Sequence, residues 1–322
     1  MSTKLPTRQL GKDGPQPDED RFAVLDKAYE LGLTNWDSAD VYMDNEDLIG
    51  KWFKRTGKRD EIFIATKFAL SVGPDGSRGV SNDPEYIKEA CNKSLKRLGI
   101  DTIDLYYCHR LSGEVPVEKV VGAMAELVKE GKVRYIGLSE ASAESLHRAC
   151  KVHHIAANQT EYSPFTTDIE DPQIDVLKTC RELGIALVAY SPLGRGFITG
   201  QYKSPDDFEE GDFRKFSPRF SAENFPKNLK LVDEIKQIAD KKGCTPGQLT
   251  LAWLMAQGED IIPIPGTKKI KYLEENFGAL KVKLTEEEIK DIRTAVENAE
   301  VHGSRYPAAM MGLCFADTPA LE

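Results

Sequence analysis

The sequence predicts an α/β fold in which parallel strands alternate with helices in a (β/α)8 barrel of the TIM type. From residue 18 onward, short apolar runs typical of buried strands alternate with longer segments of helical periodicity. The 322 residues suit one barrel, and neither a linker nor a low-complexity tract divides them, so we expect a single domain over 1–322. No G-x-G-x-x-G motif follows the first strand, which disfavours an open dinucleotide-binding sheet.

Seven segments have the length and apolar content of buried strands. The clearest is 186–190, whose continuous apolar centre is typical of a parallel strand buried on both faces. The predicted strands are 34–38, 62–67, 103–107, 134–138, 156–160, 186–190 and 261–264. The predicted helices are 18–31, 45–57, 84–98, 117–129, 143–152, 173–183, 228–242, 245–257, 269–277 and 285–299.

Several helix starts carry capping signals. Asn45 is the expected N-cap of the second helix, and Thr245 precedes Pro246 at the first position of another. Thr285 and Glu288 form the pattern of a capping box. The polar, glycine-containing stretch 194–226 is too long for a simple connection, so we predict a functional loop there.

One strand of the eight is missing from this pattern. The helix at residue 18 should follow a strand, but residues 1–17 hold three prolines and two glycines, with only Leu5 and Leu10 as apolar candidates. Such a segment is a poor buried strand. We therefore expect the first strand of the barrel to be missing or truncated.

Composition narrows the class of protein. The formal net charge of -9 disfavours a nucleic-acid partner, and no apolar run approaches the ~20 residues of a membrane span. The polar N-terminus predicts no secretory signal, so we expect a cytoplasmic protein. The six cysteines form no C-x-x-C pair, which predicts reduced thiols and no metal site. Nothing in the sequence predicts the oligomeric state.

Candidate catalytic residues lie at the C-terminal ends of the predicted strands, where active sites of such barrels are found. Asp37, Lys67 and His109 end three different strands, and Tyr42 follows Asp37 by five residues. An ammonium beside a phenol favours the phenolate, and a carboxylate keeps that lysine charged. Such a tyrosine can protonate an oxygen while another group delivers a hydride, and the imidazole can orient that oxygen. Any one of these residues alone is more often a rim or core residue; the four together indicate catalysis.

Candidate cofactor contacts lie on the same face. Tyr190 at a strand end suits stacking on a flat ring, although a core role is equally consistent with its spacing. Arg195 between two glycines suits a pyrophosphate, but this signal is weak. The turn 264–269 leads into a helix, and Lys268 and Lys269 suit a 2′-phosphate better than a ribose hydroxyl. The alternative for these lysines is a solvated helix start.

At these residues the chain resembles the aldo-keto reductases, most closely the fungal and bacterial branch with a G-T-K phosphate loop. The motifs cover nearly all of the chain from residue 18, in the family's order. They are W-D-S-A-D-V-Y (36–42), I-A-T-K (64–67), D-L-Y-Y-C-H (104–109), Y-I-G-L-S-E (135–140), Q-T-E-Y-S-P (159–164), A-Y-S-P-L-G-R-G (189–196) and I-P-I-P-G-T-K (262–268).

The resemblance implies an NADPH-dependent reductase of aldehydes or ketones, with the tetrad Asp37, Tyr42, Lys67 and His109 and with Tyr42 as general acid. It implies a small-molecule carbonyl substrate and an extended NADPH bound without a Rossmann fold. The implied cofactor-binding residues are Ser139 and Gln159 for the nicotinamide amide, Tyr190 for its ring, Arg195 with its neighbouring glycines for the pyrophosphate, Lys268 and Lys269 for the 2′-phosphate, and Glu275 and Asn276 for the adenine. Ser191, Leu193, Gly266 and Thr267 are further implied cofactor-binding residues.

The chain departs from the family at three places. The glycine-rich first strand is absent after Gln16, Met43 stands where glycine usually follows the tyrosine, and Glu140 replaces a common asparagine. The first departure leaves a second hypothesis, an NADPH-binding module with little or no turnover. A third hypothesis is a hydrolase with Asp37 and Glu140 as an acid–base pair. Substrate specificity is expected from the loops 71–82, 194–226 and 300–322.

Overall fold

A computed structural model describes residues 18–72 and 78–322 of the chain. Seven parallel strands form one curled sheet, and they coincide with the seven predicted strands to within about two residues. In sheet order they are β1 (Asn35–Asp37), β2 (Phe63–Phe68), β5 (Ile103–Cys108), β6 (Val133–Ser139), β7 (Ala157–Glu161), β8 (Ala186–Tyr190) and β9 (Ile261–Pro263). A hairpin that the sequence analysis missed, β3 (Leu70–Val72) with β4 (Arg78–Val80), follows β2.

Helices connect the strands and cover the outside of the sheet. Within the described ranges they are α1 (Asp18–Glu30), α2 (Asn45–Thr56), α3 (Pro84–Leu98), α4 (Val117–Lys129), α5 (Ala143–Val152), α6 (Val176–Leu183), α7 (Phe225–Lys242), α8 (Pro246–Met255), α9 (Ile270–Gly278), α10 (Glu286–Asn298) and α11 (Ala308–Met311). The loop 194–226 contains several short 3₁₀ helices. No helix within 18–72 or 78–322 has the length and apolar character needed to cross a membrane.

Local hydrogen bonds explain where the helix boundaries agree with prediction and where they differ. The capping boxes that begin α8 at Thr245 and α10 at Thr285 are both formed. The predicted cap at Asn45 is wrong, because Asn45 is already inside α2 and its amide donates to the Ser38 hydroxyl at 2.8 Å. Helix α7 starts earlier than predicted, since Pro226 is tolerated in a first helical turn.

The core has two layers. A large apolar cluster lies between the outer face of the sheet and the helices. A smaller cluster faces inward, made of Ala65, Leu105, Tyr107, Ala157 and Val188. The interior of a complete barrel of this class is filled by layers of side chains. Here the inward-facing residues leave a cavity of about 360 Å³, so the inner layer is incompletely filled.

The sheet is open between β1 and β9. No strand in the described ranges pairs between these two edges, which agrees with the predicted loss of the first strand. A cavity of about 900 Å³ runs along the gap and is lined by both edge strands, including Asn35 and Ile262. Outside the gap, Lys27 of α1 and Glu274 of α9 form an ion pair at 3.1 Å. Helices α1 and α9 are therefore in contact on the outside of the opening between β1 and β9.

Filling the inner cavity should stabilise the protein. Ala157→Val adds two methyl groups to a strand position that lines the cavity, and we expect about 1 kcal/mol of added stability and a Tm higher by roughly 2–4 °C. The matched control is Ala149→Val in the filled outer core, which should cost about 1–3 kcal/mol through overpacking. Thermal unfolding followed by circular dichroism measures both. Equal destabilisation by the two variants would show that the inner layer is already full.

Candidate active site

The four candidate catalytic residues meet at the C-terminal mouth of the sheet. Lys67 is fully buried at the end of β2, and its ammonium pairs with the Asp37 carboxylate and donates to the Ser38 carbonyl at 2.6 Å. The Lys67 Nζ lies 5.3 Å from the centre of the Tyr42 ring. The His109 ring packs edge-on against Tyr42, with ring centres 5.9 Å apart. The phenol is 45% exposed, so it faces the cavity.

Strand register explains this convergence. β1, β2 and β5 are parallel neighbours, with Asp37 opposite Ala65 and Lys67 opposite Tyr107. Because parallel strands end at the same edge, residues far apart in sequence are brought to one rim. The Asp40 backbone N–H donates to the Lys67 carbonyl at 3.0 Å, which fixes the start of the loop that carries Tyr42.

Arg97 of α3 fastens the Tyr42 loop from outside. Its guanidinium donates to the carbonyl of Asp40 at 3.0 Å, to the carbonyl of Met43 and to the buried Glu46 carboxylate at 3.0 Å. Met43 has φ 51°, the left-handed region that glycine tolerates best, which explains why glycine is usual at this position. The loop is thus held by its backbone carbonyls, and Tyr42 projects from it.

His109 is electrically neutral at neutral pH. Burial, together with the charges of Lys67 and Arg110, lowers the pKa of its imidazole well below the ordinary value. Its Nδ1 has no hydrogen-bond partner among the described residues. A neutral imidazole can donate a hydrogen bond to a substrate oxygen without competing with Tyr42 as the acid.

The implied cofactor residues line two neighbouring cavities on the same rim, of about 900 Å³ and 380 Å³. Ten of the twelve contribute to these walls: Ser139, Gln159, Tyr190, Ser191, Leu193, Arg195, Gly266, Thr267, Glu275 and Asn276. Lys268 and Lys269 are exposed beside the smaller cavity, where α9 begins. The structure therefore brings the twelve positions together along one cleft.

Two of these residues are already engaged within the protein. The Gln159 amide donates to Asp37 at 2.9 Å, and the Ser139 hydroxyl donates to the Gln159 carbonyl at 2.9 Å. The Ser139 hydroxyl proton and one N–H of the Gln159 side chain are therefore not available to a nicotinamide amide.

The turn after β8 has the backbone expected of an anion site. Gly194, Arg195 and Gly196 all have positive φ, so the chain bends tightly beside the cleft. The Arg195 guanidinium lies 3.2 Å from the Glu161 carboxylate and donates to Ser217 at 3.0 Å. Arg195 is thus partly neutralised by a carboxylate, and the Gly194 and Gly196 N–H groups donate to the Ser191 and Leu193 carbonyls, which weakens the predicted contribution of this turn to pyrophosphate binding.

Glu140, one of the family departures, is fully buried. Both of its oxygens accept hydrogen bonds from Arg305, at 2.9 and 3.0 Å, and the Tyr190 hydroxyl donates to it at 2.8 Å. Burial alone would raise the pKa of Glu140, but Arg305 and Arg110 bring it below the ordinary value. A carboxylate held ionised in this way is a poor general acid, which disfavours the hydrolase hypothesis.

Sequence reasoning missed several residues of the cleft. Arg110, Phe213 and Tyr306 line the larger cavity, and the Tyr306 hydroxyl lies 3.0 Å from that of Tyr190. Phe213 and Tyr306 fall within the loops 194–226 and 300–322, where specificity was expected. Arg110 had a visible signal, since it directly follows a candidate catalytic histidine. Arg305 had none, because its partner Glu140 is 165 residues away.

Comparison with known proteins supports the family resemblance. Residues 6–297 match the sequence pattern of the Aldo/keto reductase family. Over 98% of this chain and 99% of the relative, the sequence is 55% identical to the aldo-keto reductase yakc [NADP(+)] of Schizosaccharomyces pombe, and it is 60% identical to the aldo-keto reductase str7 of Strobilurus tenacellus over the same shares. The glycerol dehydrogenase of Gluconobacter oxydans superimposes with a TM-score of 0.81 at 26% identity, over 90% of this chain and 89% of that one.

These alignments are longer than the chain. The S. pombe relative aligns over 336 positions, whereas this chain has 322 residues, so at least 14 positions of the relative have no counterpart here.

Neutralising Asp40 should stabilise the protein at alkaline pH. Burial and the charge of Glu46 raise the Asp40 pKa from 3.8 to about 7, and its Oδ1 is buried without a partner among the described residues. The carboxyl therefore favours folding while protonated, and that contribution disappears as pH rises from about 4 through 7. Asp40→Asn should raise the free energy of unfolding at pH 8.5 by up to about 4 kcal/mol and change it little at pH 4.

Urea unfolding at a series of pH values measures this difference, with Asp101→Asn at an exposed turn as the control. A stability gain for Asp40→Asn that is the same at every pH would contradict a titrating Asp40.

Proposed function

The chain belongs to the aldo/keto reductase family, and we propose on this basis that it reduces aldehydes or ketones to alcohols with NADPH. The observation that carries the proposal is the meeting of Lys67, Asp37 and His109 around the exposed Tyr42 at the end of a long cleft. The S. pombe relative carries NADP(+) in its name, in agreement with two lysines beside the phosphate-binding turn.

The cleft suits an extended dinucleotide. Its two cavities share Ser191, Arg195, Gly266 and Asn276, so they form one continuous channel from Tyr42 to the start of α9. The middle is lined by the tight turn 194–196, where Arg195 adds a positive charge, and the far end by exposed lysines. Tyr190 would lie under the nicotinamide, the turn 194–196 beside the pyrophosphate, and Lys268 and Lys269 at the 2′-phosphate.

The chemistry of reduction divides between cofactor and protein. NADPH supplies the hydride when bound. Tyr42 donates its hydroxyl proton to the substrate carbonyl oxygen. The Lys67 ammonium stabilises the negative charge that develops on the phenol oxygen, and Asp37 keeps that ammonium charged and in place. The neutral His109 imidazole hydrogen-bonds the substrate oxygen and aligns it with Tyr42.

A second candidate is an NADPH-binding module with little turnover. The observation that favours it is the gap between β1 and β9, which adjoins the cavity that holds Tyr42 and Asp37. In a complete barrel a strand would fill this gap and exclude water from the same cavity. The tetrad itself rests on β1, β2 and β5, which are paired normally, so we favour the enzyme.

Tyr42→Phe tests the enzyme hypothesis. Phenylalanine preserves the ring but removes the proton donor, so NADPH oxidation at 340 nm with aromatic aldehydes should fall by about 10²–10⁴-fold. NADPH binding, measured by quenching of protein fluorescence, should remain within about twofold. Tyr135→Phe, at an exposed position near the opposite end of β6, is the matched control and should keep full turnover.

Two results would count against the enzyme. Wild-type turnover in Tyr42→Phe would remove Tyr42 as the acid. NADPH binding by the wild-type chain without oxidation by any carbonyl compound would favour the binding module.

A further inference from the structure

Three buried arginines, Arg110, Arg219 and Arg305, and the part-buried Arg195 lie near the inner end of the cleft, and all but Arg110 have close carboxylate partners among the described residues. Arg195 lies 3.2 Å from Glu161, Arg219 lies 4.0 Å from Glu161, and Arg305 binds Glu140 and approaches Asp168 at 3.3 Å. Arg110 is only 9% exposed, and within residues 18–72 and 78–322 it has no carboxylate within 4.0 Å. Lys67 pairs with Asp37, so among these buried cations of the described residues Arg110 alone lacks a close ion pair, and Glu140 acts on it only from a longer distance.

The Arg110 guanidinium is fixed on one side and open on the other. Its Nη1 donates to the His109 carbonyl at 2.7 Å and to the Ser139 hydroxyl at 3.1 Å. Its Nε and Nη2 have no hydrogen-bond partner among the described residues, and the side chain lines the larger cavity. The guanidinium carbon lies 5.9 Å from the centre of the Tyr190 ring. Two donors of a buried cation are therefore left without a partner among the described residues, on the wall of the larger cavity beside Tyr190.

Other groups near this point cannot easily serve a nicotinamide amide. Gln159 donates to Asp37, Ser139 donates to the Gln159 carbonyl, and Glu140 accepts from Arg305 and Tyr190. A carboxamide oxygen above Tyr190 needs a donor, and Arg110 offers two. The same charge acts on the ring, because the oxidised nicotinamide is a cation and the reduced one is neutral. Like charges a few ångströms apart in a buried site repel strongly.

We propose that Arg110 is a positioning residue for the nicotinamide, which hydrogen-bonds its carboxamide oxygen and makes the site bind NADPH in preference to NADP⁺. The proposal rests on the proposed function, since it requires that the nicotinamide end of NADPH lies above Tyr190. The positive charge of Arg110 weakens the binding of NADP⁺, the oxidised product, and so favours carbonyl reduction over alcohol oxidation.

Dissociation constants of NADPH and NADP⁺, measured by quenching of protein fluorescence in the full chain, test the proposal without turnover. Wild type should bind NADPH more tightly, and Arg110→Met should lower the ratio of the NADP⁺ to the NADPH constant by roughly tenfold or more. Arg110→Lys keeps the charge and should keep the ratio within about twofold, while both constants rise. Arg134→Met, an exposed arginine near the opposite end of β6, is the control and should change neither constant.

The results distinguish a failure of the proposed function from a failure of the role of Arg110. Failure of the wild-type chain to bind either nucleotide would remove the proposed function. An unchanged ratio in folded Arg110→Met, or wild-type preference for NADP⁺, would overturn the role of Arg110 alone. The wild-type measurement decides even where Arg110→Met fails to fold. A variant that keeps the ratio but raises KM only for carboxylate-bearing carbonyl compounds would also overturn it, and would assign Arg110 to the substrate.

Discussion

The buried ion pair between Lys67 and Asp37 is the constraint on which the rest of the site depends. A fully buried ammonium is tolerated only when a carboxylate and further acceptors compensate for its loss of water. Asp37 and the Ser38 carbonyl supply them, and they lie on the neighbouring strand in the register that the sheet imposes. The charge that we propose to stabilise a phenolate at Tyr42 is therefore fixed by the pairing of β1 with β2.

This dependence explains how a site survives in an incomplete sheet. The open position lies between β1 and β9, on the far side of β1 from Lys67 and His109. Each of the strands that carry the tetrad keeps a parallel neighbour on at least one side, and Arg97 and Glu46 hold the Tyr42 loop from the helical layer. The gap affects instead the inner core and the walls of the larger cavity, where space remains unfilled.

A buried charge is also compensated at the other end of the cleft, where Glu140 pairs with Arg305. Glu140 replaces a neutral amide of the family and would be costly to bury alone, but Arg305 from the C-terminal segment neutralises it. The tail is thereby fixed to the end of β6, and Tyr306 is placed against Tyr190. A change at one strand end is matched by a residue far along the chain, and Arg110 is left without a carboxylate within 4.0 Å among the described residues.

The sequence predicted the seven strands, ten of the eleven helices of the described residues and the four tetrad positions because each has a local signature: apolar runs, capping residues and polar strand ends. Residues 1–17, the expected site of the missing strand, lie outside the described residues. The β3–β4 hairpin and the 3₁₀ turns lack such periodic signals. Arg305 could not be found, since its role depends on a contact with Glu140 that only the folded chain creates. The roles of the twelve cofactor positions and of Tyr42 remain predictions that the geometry supports.

A double-mutant cycle between Asp37 and Lys67 tests the central claim most directly. Urea unfolding of Asp37→Asn, Lys67→Met and the double variant gives the coupling free energy of the pair. Asp37→Asn should lower the free energy of unfolding by about 3–5 kcal/mol, because it leaves a buried ammonium without its carboxylate, and the double variant should recover much of that loss. Strictly additive effects would show that the two side chains do not depend on each other, and the account of the site would then be wrong.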